Sequence, residues 1–173
     1  MNLYKMHNEP TQLLQYDNVK KVAEQLDIDV FWKEVKRMPN MVGTGTDVIA
    51  KDSNLSFMYA MYGVRGRFEE GETAIAKSPS NSFEYAKEIL KGRFPEGEDA
   101  IGSEGLYALQ YARDTMKGRF PKGEDEIARA PIRAFLYARI MKDRFPKGEE
   151  TLKKHNEFWG KYVKMLATNG IEI

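Results

Sequence analysis

The sequence predicts an all-α protein: tandem helical-hairpin repeats with a period of 26 residues, forming a short α-solenoid with a helical cap at each end. Three observations predict it. Tyr-Ala pairs recur at Tyr59-Ala60, Tyr85-Ala86, Tyr111-Ala112 and Tyr137-Ala138, and a degenerate fifth copy, Tyr162-Val163, comes one residue early. Self-similarity at this period marks stacked supersecondary units. Phe83, Ala86 and Leu90 share one helical face, and Phe57, Ala60 and Val64, then Leu109, Ala112 and Met116, then Phe135, Ala138 and Met141 preserve its size and polarity. Helix punctuation also returns. Ser78-Pro79 supplies an N-cap serine with proline at the first helical position, and Ala130-Pro131 keeps that proline. Gly92 and Gly118 stand where the long helix must end, able to take the positive φ of a C-terminal cap.

Taken in order, residues 1–45 read as an N-terminal helical cap within a single domain, 1–173. Val19, Val22, Ala23 and Leu26 lie at helical spacing behind Asp17, and a second helix from Asp29 stops at Pro39. The following loop holds Gly43 and Gly45 but lacks the third glycine of a dinucleotide fingerprint and no strand pattern precedes it, so it reads as a turn. Residues 46–155 are the repeats. Each joins a long helix through an Arg-Phe-Pro turn to a short helix that starts near Glu96 in the second copy and buries one large aliphatic residue: Ile49, Ile75, Ile101, Ile127 and Leu152. Acidic residues in its first turn suit the positive end of the helix dipole. The alanine column implies close helix approach, where a larger side chain would overpack the contact. In the last full copy Asp143 replaces the glycine and one residue is lost, so that turn is expected to differ. Residues 156–173 form the closing cap, and Trp32 and Trp159 lie one in each cap.

Composition narrows the chemistry. No run approaches the roughly 20 apolar residues of a membrane span and no apolar signal segment opens the chain, so a cytoplasmic protein with no membrane partner is expected. Zero cysteines exclude disulfides, thiolate nucleophiles and cysteine zinc sites. The two histidines, His7 and His155, are nearly a chain length apart and neither has a ligand at metal spacing. A nucleophile elbow, a P-loop and a His-Glu-x-x-His motif are all missing from the sequence. Glu72, Glu98, Glu124 and Glu149 are equivalent positions of a repeated unit, unlike a catalytic pair, which should occur once. The reading is a non-enzymatic protein with no metal and no cofactor.

The net charge of +1 conceals a gradient. Residues 53–78 are neutral, 79–104 carry three basic and six acidic side chains, and 131–155 carry seven basic and three acidic. Such polarity bears on partners rather than on fold. Arg67, Arg93, Arg119 and Arg144 recur with a glutamate five residues later, which favours ion pairs bracing each turn over a row tracking phosphates. Phe68, Phe94, Phe120 and Phe145 read as core rather than as a stacking platform. The basic side chains not explained by the unit are Arg129, Arg133, Arg139, Lys142, Lys147, Lys153 and Lys154, the candidate partner-binding residues. The preferred partner is a protein or protein complex. The alternative is nucleic acid on the basic C-terminal repeats, which the acidic segment 79–104 opposes.

The pattern Tyr-Ala-x-x-x-x-Lys-Gly-Arg-Phe-Pro-x-Gly-Glu, clear over Lys91 to Glu98 and Lys117 to Glu124 and weaker at Gly66 to Glu72, where Glu69 replaces proline, resembles tandem repeats in small proteins of large tailed bacteriophages. It covers about residues 47–155. The resemblance implies a phage accessory protein in the host bacterial cytoplasm that binds and inhibits a host factor or defence complex. An anti-CRISPR or similar anti-defence role falls within that class. It carries no catalytic residues.

Overall fold

The structure is a computed structural model that describes residues 49–173. The expected N-terminal cap, with Trp32, His7 and the two-glycine loop, lies outside the described residues.

Among the described residues the secondary structure is entirely helical, in alternating long and short pieces. Helix α1 (Ser53–Met58) continues as a π-helical segment, Tyr59–Val64, and is followed by α2 (Glu69–Ile75). Helix α3 (Pro79–Glu84) runs into the π segment Tyr85–Leu90, and a 3-10 turn, Pro95–Gly97, leads into α4 (Glu98–Gly102). Helix α5 (Gly105–Tyr111) runs into the π segment Ala112–Met116, and the 3-10 turn Pro121–Gly123 leads into α6 (Glu124–Ala128). Then come α7 (Pro131–Met141), α8 (Pro146–Lys153) and α9 (Asn156–Thr168). Long helices α1, α3, α5, α7 and α9 each contact the next, and α4 and α6 reach the following short element.

Helix starts follow local chemistry. The Ser78 hydroxyl accepts from the Asn81 N–H, with Pro79 in the first turn, and Asp52 accepts from the N–H groups of Asn54 and Leu55. Helix ends correct the sequence reading. The positive φ falls on Arg65, Lys91, Lys117 and Lys142 (φ 50–55°), one residue before the position of Gly66, Gly92, Gly118 and Asp143. Asp143 is therefore tolerated, because the position it fills does not demand the left-handed region. A non-glycine residue there costs about 1–2 kcal/mol, and in every copy that residue is a cation at a helix C-terminus, where the macrodipole favours it.

The deletion before Asp143 has a specific consequence. In the first three copies the cap N–H reaches five residues back, as from Lys91 to the Ala86 carbonyl, and the last turn is π-helical. In the fourth the Lys142 N–H reaches only to the Ala138 carbonyl, four back, and α7 is regular to its end. One extra residue accommodated in a helical turn is what a π-bulge is. The Tyr137-to-Tyr162 interval shortens by that residue while both tyrosines keep their places.

The core consists of repeated columns. Ala60, Ala86, Ala112 and Ala138 are buried, as are Ile49, Ile75, Ile101, Ile127 and Leu152, and the four phenylalanines from Phe68 to Phe145. Each short helix sits close to a long one because its glycine has no Cβ. At Gly123 an added Cβ would stand 2.5 Å from the Ala108 Cβ and 2.8 Å from the Phe120 ring. Small Ser56 and Ser82 take the place of Ala108 in earlier copies, and their hydroxyls donate to the carbonyls of Ile49 and Ile75 at 2.9 Å, so neither is buried unpaired. At the C-terminal end Trp159 packs on Tyr162 (5.6 Å between rings) and Gly170, at φ 71°, follows the end of α9.

Candidate functional site: an inner polar ladder and an outer groove

Two sets of functional-looking side chains occur, and geometry separates them. The first is internal. The Tyr85 hydroxyl accepts from the Phe68 N–H (3.0 Å) and donates to Glu72 (2.9 Å), while Arg67 grips both oxygens of that carboxylate at 2.7 and 2.9 Å. The arrangement repeats as Tyr111, Phe94, Glu98 and Arg93, as Tyr137, Phe120, Glu124 and Arg119, and as Tyr162, Phe145, Glu149 and Arg144. The rings of Tyr59, Tyr85, Tyr111 and Tyr137 also meet the phenylalanine of their own copy edge-on, at 4.8–5.1 Å. One side chain therefore fastens two copies together. Burial pushes the phenols of Tyr111 and Tyr162 up to about 12, and the Arg144 guanidinium holds the Glu149 carboxyl below its ordinary range. The four repeated guanidinium groups are committed to carboxylates.

Arg119 departs from the others: it contacts one Glu124 oxygen at 3.0 Å and sends its other nitrogen to the Arg144 carbonyl at 3.1 Å, with Asp143 at 3.7 Å. The shortened turn is held from the preceding copy.

The second set lies on the outer face of α5 and α7. Leu109 and Arg113 on one side and Leu136, Arg139 and Ile140 on the other line a groove of about 230 Å³. Leu106 and Ile132, one helical turn before Leu109 and Leu136, are 54% and 53% exposed. Ile132, Leu136 and Ile140 follow one another at intervals of four residues, so they form a continuous stripe along α7. The same positions are Ser80, Glu84 and Glu88 in the second copy and Leu106, Gln110 and Asp114 in the third.

The expected partner-binding cations divide sharply. Arg139 borders the groove, stacked 5.7 Å from the Phe135 ring, and Arg133 is half-buried in the first turn of α7, its Nε against Gly105. Arg129 pairs with Glu126 (2.8 Å), Lys147 crosses to Asp125 (2.8 Å), Lys154 pairs with Glu150 (2.7 Å) and Lys153 sits 5.1 Å from the Trp159 ring. Lys142 caps α7. The sequence reading missed Leu106, Arg113, Leu136 and Ile140. Comparing the copies one residue before and three after each tyrosine would have exposed two of them, because acids there give way to aliphatics.

Among the described residues no cluster of histidine, aspartate and glutamate could hold a metal ion, and no helix is long and apolar enough to cross a membrane. Compared with protein families, curated proteins and solved structures, the chain matches none.

Proposed function

We propose that the chain is a non-enzymatic protein-interaction module, a short solenoid of helical hairpins with a 26-residue period that offers a rigid, polarised surface to another protein. The observation that carries this reading is the contrast between copies. Positions facing the interior keep their residue types, whereas the outer positions of α3 are acidic and those of α7 aliphatic and basic. Exposed aliphatics rimmed by cations are a surface suited to protein contact. The resemblance to phage repeats supports a finer version: an accessory protein in the host bacterial cytoplasm that inhibits a host factor or defence complex by binding it.

A second reading rests on a different row. Arg65, Lys91, Lys117 and Lys142 are exposed, cap successive long helices and form no ion pair among the described residues. Cations at regular intervals can follow a nucleic-acid backbone. Affinity capture from a bacterial lysate separates the two. Retention of a protein through nuclease treatment and moderate salt supports the interaction module, and loss of all bound material on nuclease treatment supports nucleic acid.

A further inference from the structure

Resting on the interaction-module reading, we infer that the outer groove between α5 and α7 docks one acidic amphipathic helix of a partner protein. The apolar component comes first. Leu106 and Ile132 are two of the three large hydrophobic side chains that stand exposed among the described residues, the third being the terminal Ile173. They occupy equivalent places on neighbouring long helices, one turn before Leu109 and Leu136, which line the groove with Ile140. In the second copy the corresponding stripe is Ser80, Glu84 and Glu88, so the helix pair folds without aliphatics there.

The electrostatic component selects the occupant. Arg133 lies in the first turn of α7, where the helix dipole disfavours a cation. Its Nε is the only buried side-chain nitrogen or oxygen without a hydrogen-bond partner among the described residues, and it lies 2.8 Å from where a Cβ on Gly105 would stand. Arg133 is half-buried and forms no ion pair among the described residues, so its guanidinium is open to complementation by a carboxylate. Arg139, at the other end, has no carboxylate partner among the described residues, because the acids that flank Lys87 and Arg113 in earlier copies are replaced by Leu136 and Ile140. Arg133 and Arg139 are about 9 Å apart along α7, close to the spacing of carboxylates seven residues apart on a helix. Aliphatics between two such carboxylates would meet Leu136, which lies between Arg133 and Arg139 in α7, the pattern of helix-in-groove recognition. Strand addition has no template, since no strand occurs among the described residues.

The probe is a synthetic helical peptide with glutamates at the first and eighth positions of its contact face and leucines at the fourth and fifth. It is titrated into the isotopically labelled full chain and followed by backbone amide NMR. Shifts confined to α5 and α7 are expected, with about tenfold weaker binding when lysines replace the glutamates and a similar loss in Arg139→Glu. Ile132→Asp, at an exposed position, should abolish binding while leaving the melting temperature unchanged. Equal affinity for the lysine peptide, shifts spread over other helices, or no shifts at millimolar peptide would overturn the inference. So would a concentration-dependent dimer that Ile132→Asp dissolves, because the occupant would then be a second copy. A lysate partner retained by both variants would leave the interaction module standing and remove only this groove.

Discussion

Helices α3 and α7 occupy equivalent places in the chain, and their inner and outer faces tell different histories. Inside, Tyr85 and Tyr137 each join a phenylalanine N–H to a glutamate, with Ala86 and Ala138 buried beside them. Outside, α3 and its π segment present Ser80, Glu84 and Glu88, with Lys87 paired to the acids, and α7 presents Ile132, Leu136 and Ile140 with an Arg139 that has no carboxylate partner among the described residues. The interior cannot vary, because each tyrosine serves two copies at once and a change there breaks a joint. The outer positions take no part in that joint, so their chemistry is freer to match a partner.

Breaking the inner joint is the most damaging test. Tyr111→Ala removes a buried ring, its edge contact with Phe120 and the acceptor of the Phe94 N–H, and should cost about 3–5 kcal/mol in chemical denaturation. A cost near 0.5 kcal/mol would place the ladder with surface features. Ala112→Leu should overpack the same interface and lower stability by about 1–3 kcal/mol, read as a shifted midpoint at constant slope.

The ladder also sets a pH response. The folded phenols of Tyr111 and Tyr162 titrate at about 12, above the unfolded value near 10, so their contribution is complete below pH 10 and is lost as pH rises towards 12. Glu149 works in the opposite sense: with its carboxyl held low by Arg144, its contribution is present above the ordinary glutamate pKa and fades as pH falls below it. Thermal melts across both limbs, with tyrosinate absorbance on the alkaline side, check this. Absence of any phenol fraction ionising near 12 in the folded chain would contradict the buried ladder.

The smallest effect sharpens the comparison at the helix ends. Lys91→Gly relieves a left-handed residue but loosens the unfolded chain, so stability should change by under about 1 kcal/mol. Gly92→Ala, at a position whose added Cβ meets only the Leu90 carbonyl at 3.7 Å, should also be mild. A severe loss at Gly92 would return the left-handed position to the glycine.

What the sequence by itself determined was whatever recurs. The helical class, the alanine and isoleucine columns, Pro79 and Pro131 at helix starts and the pairing of each arginine with a glutamate five residues on were all legible, because each is a local rule written several times over. The structure decided what depends on how one residue is absorbed or which neighbour lies across an interface. Glycine beside a cation made Gly92 and Gly118 the natural left-handed residues, yet the reversal falls on Lys91 and Lys117, as it falls on Lys142 at the end of the regular helix α7. The list of spare cations likewise could not be sorted from spacing. Lys147 is spent on Asp125, twenty-two residues away in the sequence, whereas Arg133 is held against Gly105 with its Nε unsatisfied. Charge can be counted along a chain, but only packing between helices decides which charges are already matched.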